Sequence, residues 1–136
     1  MGGAEMIVLD THVLIWWITK PDKLSARAKH YLEEAAKKSE MLVSSISIWE
    51  IYLLAKRGRI QFTMDIDTWL AKVERLPFIR FIPVDNKIAV KSVNFAEQLH
   101  NDPADRMIIA TSILENALLL TSDKKILNYP YVQTLW

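Results

Sequence analysis

Short apolar runs alternate along this chain with stretches of helical periodicity. Residues 6–10, Met-Ile-Val-Leu-Asp, are continuously apolar until a closing carboxylate, the pattern of a strand buried on both faces. Residues 11–18 predict a helix closed by Lys20-Pro21-Asp22. Residues 25–38 predict a second, with Ala28, Tyr31, Leu32, Ala35 and Ala36 on one face. The next strand is 41–44 and the next helix 46–56, ended by Arg57-Gly58-Arg59. A helix over 63–75 carries Asp65 and Asp67 at its start, and a strand over 78–84 is weakened at its end by Pro83. Helices follow at 86–99 and 103–116, then a strand at 118–121, a short helical segment and a final edge stretch, 131–136.

Strands that alternate with helices in this way build a parallel sheet with a helix in each crossover. The expectation is one α/β domain over residues 6–136, a central, mostly parallel sheet of four to five strands with helices on both faces. Residues 1–5, Gly-rich and followed by a second methionine, are expected to be a leader or remnant without function. The 136 residues, 51% hydrophobic and 24% charged, suit one domain with a true core and argue against disorder. No apolar run approaches the length that crosses a bilayer, and no signal-like segment opens the chain, so no membrane partner is expected and the cytoplasm is the expected location. The absence of cysteine removes disulfides, thiolate zinc sites and cysteine nucleophiles together. A net charge of +1 argues against nucleic-acid binding by bulk electrostatics, so any polyanion chemistry must be local.

In open parallel sheets, ligands bind beyond the carboxyl ends of the strands, where helices begin. Four such junctions each carry an acid: Asp10 after the first strand, Glu50 after the second, Asp105 behind Asp102-Pro103, and Asp123 after residues 118–122. Singly, each has a structural explanation. Ser47-Ile-Trp-Glu50 spells a capping box, Asp102 is a good N-cap with Pro103 behind it, and Asp10 and Asp123 could cap their helices. Jointly, the four could converge on one edge of the sheet. Like charges about 4 Å apart repel by ~4 kcal/mol at an effective dielectric of ~20, so converging acids either take up protons or hold a cation. Oxygen ligands suit Mg²⁺ or Mn²⁺, one ion or two, which activate water and stabilise charge on a phosphodiester. This reading favours a metal-dependent nuclease.

Four blocks carry a family resemblance. Ile7-Val-Leu-Asp10-Thr11-His-Val-Leu-Ile-Trp, Ser44-Ser-Ile-Ser-Ile-Trp-Glu50-Ile, His100-Asn-Asp-Pro-Ala-Asp105-Arg106-Met-Ile-Ile-Ala-Thr and Leu119-Leu-Thr-Ser-Asp123 resemble, in order and interval, those of a PIN domain. The VapC-type toxins of type II toxin–antitoxin pairs are the nearest likeness, over essentially the whole of residues 6–136. The resemblance implies a three-layer PIN-like fold and a Mg²⁺- or Mn²⁺-dependent endoribonuclease whose acids match Asp10, Glu50, Asp105 and Asp123. It further implies translation arrest through cleavage of tRNA or rRNA, a homodimer, and neutralisation by a cognate antitoxin. The residues ahead of the first strand depart from the pattern, since that strand normally starts almost at once; this leaves the start residue open and does not touch the site.

Around the acids, Thr11, Thr121 and Ser122 either orient a carboxylate, contact phosphate or cap a helix. Asp102 is expected as an N-cap, with a water-bridged metal role as the alternative. Arg106 either pairs with the scissile phosphate or ties down Asp102. His12, His30 and His100 are expected to pack rather than ligate. Lys56, Arg57 and Arg59 form a basic knot that steers RNA or is simply a solvated helix end, and Lys124–Lys125 could add to it. Asp65, Asp67 and Asp85 read as helix-start or turn residues. Trp16, Trp17 and Trp49 are expected in the core or a dimer interface, and Phe62 and Trp69 in an exposed antitoxin groove. The competing functions are a non-catalytic RNA- or protein-binding PIN module and a DNA repair or flap nuclease; the chain lacks the helical arch the latter needs.

Overall fold

The computed structural model describes residues 6–38, 40–95 and 99–136. Residues 1–5, expected to be a leader or remnant, lie outside them. Five strands form one parallel sheet: β1 (Ile7–Leu9), β2 (Met41–Ser44), β3 (Ile79–Ile82), β4 (Leu118–Leu120) and β5 (Thr134–Leu135), in the order β3-β2-β1-β4-β5. The helices are α1 (Thr11–Thr19), α2 (Ala26–Lys38), α3 (Ser45–Lys56), α4 (Ile66–Glu74), α5 (Asn86–Val93), α6 (Pro103–Leu114) and α7 (Lys124–Leu127), with a 3-10 turn at Pro21–Lys23.

Strand alternation sorts the core into two layers. Ile7 and Leu9 of β1, Met41 and Val43 of β2 and Leu120 of β4 pack with α1, α2, α3 and α4 on one face. Val8, Leu42 and Leu119 point the other way, onto Ile88 of α5, Ile108 and Ile109 of α6, and Ile126 of α7. Both faces of the central strands are therefore buried, which is why β1 and β2 read as unbroken apolar runs. The chain steps outward from β1 to β2 to β3, then returns to place β4 on the other side of β1. This reversal opens a crevice at the carboxyl ends of β1 and β4, the place where such sheets bind ligands.

Capping residues set the helix limits and correct several boundaries. The helix expected from residue 63 starts at Ile66, because the Asp65 side chain accepts from Thr68 N–H and caps it there. The helix expected over 86–99 stops at Val93, where Asn94 N–H closes on the carbonyls of Val90 and Lys91; residues 96–98 of that span lie outside the described residues. The helix expected to reach residue 116 ends at Leu114. Asn116, at φ 52°, turns the chain so that its N–H bonds Ile113 O and that of Ala117 bonds Ser112 O. At the end of α3, Gly58 does the same at φ +70°: its N–H reaches Ala55 O and that of Arg59 reaches Leu54 O. This turn aims Arg59 back along the molecule.

Two apolar assignments also change. Trp69 is 2% exposed and Phe62 stacks on it at 4.9 Å, so they belong to the core and not to an exposed groove. Trp69 stands on the inward face of α4, and Phe62, in the loop ahead of that helix, folds onto it. Trp49, by contrast, is 56% exposed and lies outside the core of this chain.

Candidate active site

The four junction acids meet. Asp10, Glu50, Asp105 and Asp123 line one small pocket of about 120 Å³ together with Thr11, His12, Ile15 and Leu54; no lysine or arginine lines it. Asp10 stands at the end of β1 and is buried. Its Oδ1 accepts from Thr11 N–H (2.8 Å), and its Oδ2 accepts from the Thr121 hydroxyl at the end of β4 (2.8 Å). One carboxylate thus caps α1 and is locked by the strand across the crevice. Asp123 caps α7 by accepting from Lys125 N–H (2.9 Å), and its own N–H donates to the Thr121 hydroxyl (3.1 Å). Capping and site membership are compatible, since a cap uses one carboxylate oxygen and leaves the other.

Glu50 does not form the expected capping box. The N-cap of α3 is Ser44, which accepts from Ile46 N–H, and Ser47 is buried one turn on, its hydroxyl accepting from that of Thr11 (2.9 Å). Helix α3 starts too early for Ser47 to cap it. Glu50 is freed for the pocket, where its Oε1 is buried with no hydrogen-bond partner among the described residues. Burial pushes its pKa up; the neighbouring Thr11 hydroxyl opposes this, and the Asp102 and Asp10 charges add to it.

Asp105, in the first turn of α6, is raised to about 6, first by burial, with the charges of Asp10 and Asp102 adding and a hydrogen bond from His100 opposing. Asp102 is the expected N-cap and accepts from Asp105 N–H (3.0 Å). Two carboxyls raised chiefly by burial, with neighbouring carboxylates adding to the rise, belong to the kind of donor set a divalent cation relieves. With the orphaned Glu50 oxygen, they fit such an ion.

Two histidines set aside in the sequence belong here. His100 Nε2 lies 2.8 Å from Asp105 Oδ2, and one ligand atom each from His100, Asp105 and Asp123 lie within 4.8 Å of one another. His12 Nε2 accepts from Ser122 N–H (3.1 Å), which leaves the ring proton on Nδ1, 3.5 Å from Asp10 Oδ2. The Ser122 hydroxyl is 2.9 Å from the same Nε2. Burial lowers the His12 pKa against the pull of Asp10 and Asp123, in keeping with this neutral form. The ring also packs on Trp16 and Trp136, so packing was half of its role. A signal was present for both: each histidine stands within a few residues of an acid at a strand-to-helix junction.

Arg106 does not tie down Asp102. Its guanidinium donates to the carbonyls of Ser92 (2.7 Å), Leu99 (3.0 Å), His100 (3.2 Å) and Val93 (3.4 Å) and lies over Phe95. It closes the carboxyl end of α5 against the loop that presents His100. A planar fork with several donors suits a set of converging carbonyls, and none of these contacts is with Asp102. The basic knot is also divided: Lys56 lines a shallow apolar groove with Trp49 and Tyr52, whereas Arg59 faces the carboxyl end of α1.

Residues 7–130 match the family model described as PIN domain. The chain is 32% identical over 132 residues to Ribonuclease VapC22 of Mycobacterium tuberculosis, covering 96% of this chain and 98% of that protein. It superposes on the DNA-bound VapBC structure from Salmonella typhimurium with a TM-score of 0.71 at 18% identity, covering 97% of this chain and 98% of that one. A toxin–antitoxin complex from Klebsiella pneumoniae gives 0.63 at 23% identity, covering 96% of each chain. These structures share the fold, and the match in sequence runs through all four acid-bearing junctions. The chain belongs to the PIN-domain family, among its VapC-type members.

Proposed function

We propose that this chain is a divalent-metal-dependent endoribonuclease toxin, with Asp10, Glu50, Asp105 and Asp123 holding one or two Mg²⁺ or Mn²⁺ ions. The observation that carries the reading is the pocket itself: four carboxyls brought together from the end of β1, from α3, from the first turn of α6 and from the start of α7, no lysine or arginine lining it among the described residues, and a buried Glu50 oxygen without a hydrogen-bond partner among them. When bound, a divalent ion there would lower the pKa of a water and offset charge growing on a phosphodiester. The chain's own part is positioning. Thr11 N–H and Thr121 fix the Asp10 rotamer, His100 fixes Asp105, and the Arg106 clamp fixes the loop that carries His100.

The substrate is RNA, with tRNA or rRNA as the target, in keeping with a curated relative named a ribonuclease. A cognate antitoxin neutralises it, a reading supported by structural neighbours solved as toxin–antitoxin complexes, and the active form is a homodimer. No described helix is long and apolar enough to cross a membrane, and the proposed location is the cytoplasm, where these RNAs are. Incubating purified protein with total RNA and Mg²⁺ or Mn²⁺, then sequencing the new ends, tests the reading. Discrete ends should appear with the native chain and be missing with Asp10→Asn. Undiminished cleavage by that variant, or full activity in excess EDTA, refutes it.

A further inference from the structure

The face of α1 that forms one wall of the acid pocket continues into a second cleft of opposite charge. His12, Ile15, Trp16 and Thr19 recur at helical spacing, so they share one side of the helix. His12 and Ile15 line the acid pocket; Ile15, Trp16 and Thr19 line a cleft of about 510 Å³ at the other end. That cleft holds Lys20, Lys23 and Arg59, and among the described residues no carboxylate lines it. None of the three forms an ion pair with a described carboxylate. Lys20 closes α1, Lys23 comes from the 3-10 turn with its ammonium 5.3 Å over the Trp16 ring, and Arg59 is delivered by the Gly58 turn. Two segments distant in sequence, the turn over residues 20–23 and the turn at Gly58, converge three cations, and Trp16 holds one of them by its ring face.

Like charges gathered without partners repel one another unless an anion joins them. A strand cut in the acid pocket has to leave it, and neighbouring phosphates are tethered to the scissile one. Eight residues of helix rise about 12 Å, so the cations lie within a few nucleotides of the acids along α1. We propose that this cleft is a subsite for the backbone of single-stranded RNA, in which Lys20, Lys23 and Arg59 bind phosphates flanking the cleaved one. The assignment rests on the ribonuclease reading and extends it from chemistry to strand path. A positively charged groove that follows the backbone binds single strands without reading sequence, so the subsite sets affinity and direction, and choice of target lies elsewhere.

Binding without catalysis tests it. Fluorescence anisotropy with a labelled single-stranded RNA 12-mer in EDTA, over a range of salt, compares the native chain with the triple variant Lys20→Gln, Lys23→Gln, Arg59→Gln. Each phosphate contact on a single strand contributes about 0.7 to the salt slope, so three contacts remove about 2 from it, and affinity falls on the order of a hundredfold at 0.1 M salt. The control triple Lys29→Gln, Lys72→Gln, Arg75→Gln removes the same charge from exposed positions outside the cleft and should bind like the native chain. Thermal melts confirm that both fold. An unchanged affinity and slope in the cleft variant overturns the subsite, as does an equal loss in the control, or tighter binding of a poly-glutamate peptide than of the RNA. If the cleft variant binds normally while Asp10→Asn still abolishes cleavage, the subsite falls and the ribonuclease stands. If the native chain neither binds nor cuts RNA, both fall.

Discussion

The two ends of α1 solve opposite electrostatic problems by different means. At the amino end, four carboxyls are drawn into a small pocket, and short side chains bonded to backbone and hydroxyl groups hold them. At the carboxyl end, three long cationic side chains surround a cleft four times as roomy, and only Lys23 has a described partner, the Trp16 ring. The acid pocket is preorganised, and preorganisation is what electrostatic chemistry requires. The basic cleft is adaptable, which suits a ligand whose phosphates need only be near. The contrast predicts that substitutions in the pocket change rates steeply, while those in the cleft change affinity in salt-dependent steps.

The largest effect should come from Asp10→Asn. The amide oxygen can still accept from Thr11 N–H, so the cap on α1 survives. The charge does not, and cleavage should drop by roughly 10²–10³-fold or more, the scale on which single electrostatic contributors to transition states act. Single-turnover cleavage, with RNA binding measured in parallel, separates the two ends of α1: binding should hold while cleavage is lost. Equal loss of both would merge pocket and cleft into one binding surface and end the comparison.

Arg106→Ala comes next, as a structural lesion confined to the pocket side. Removing the guanidinium leaves carbonyls of Ser92, Leu99 and His100 without their donor. Hydrogen bonds from charged groups contribute about 1.5–3 kcal/mol each before relaxation, so a loss of about 3 kcal/mol in urea denaturation is expected. The His100 loop should loosen and take Asp105 with it, lowering cleavage in the folded fraction. Arg106→Lys should recover only part of the stability, because one ammonium cannot fork to four carbonyls.

The part of this that can be read from sequence has a physical boundary. Strands β1, β2 and β4 are visible because burial on both faces demands unbroken apolar runs, and Asp10 and Asp123 stand just past two of them, whereas Asp105 opens a helix that follows α5 and no strand. The start of α3 misleads because Ser44 and Ser47 are both good caps, and only the length of β2 decides between them. The hydrogen-bond partners of His12, His100 and Arg106 are hidden in the sequence because they are set by the pairing of β1 with β4 and the packing of α5 on α6. The cleft is hidden for the same reason. Arg59 is distant in sequence from Lys20 and Lys23, and it reads there as part of a knot with Lys56 and Arg57 that the fold takes apart.

A pH series on the metal-free protein probes the pocket alone. Asp105 titrates at about 6 in the folded chain against 3.8 in the ordinary state, and Glu50 shifts the same way. The folded state therefore holds protons that the unfolded chain has released, and stability falls as pH rises between about 4 and 6, then levels. Thermal melting in EDTA should show that decline, and Asp105→Asn should flatten it. Lys20 lines the cleft and not the pocket, so Lys20→Gln should leave the profile unchanged. A stability that rises over the same interval would mean that the carboxyls are already paired and would remove the case for a cation.

The smallest effect isolates the cleft by backbone alone. Gly58 sits at φ +70°, and a Cβ built there meets nothing within 4 Å, so Gly58→Ala costs only the left-handed conformation, about 1 kcal/mol. Part of that strain can be relieved by opening the turn, which would release the Arg59 N–H from Leu54 O and swing Arg59 away from Lys20 and Lys23. The expected signature is a small drop in melting temperature together with a salt slope for RNA reduced by about 0.7, one phosphate contact's worth. Cleavage at saturating RNA should stay near native, since neither Gly58 nor Arg59 lines the pocket. The Gly58→Asn variant, better tolerated at positive φ, should restore both melting temperature and slope. If Gly58→Ala lowers stability and leaves the slope untouched, Arg59 does not share the strand with the two lysines, and the cleft reduces to the carboxyl end of α1.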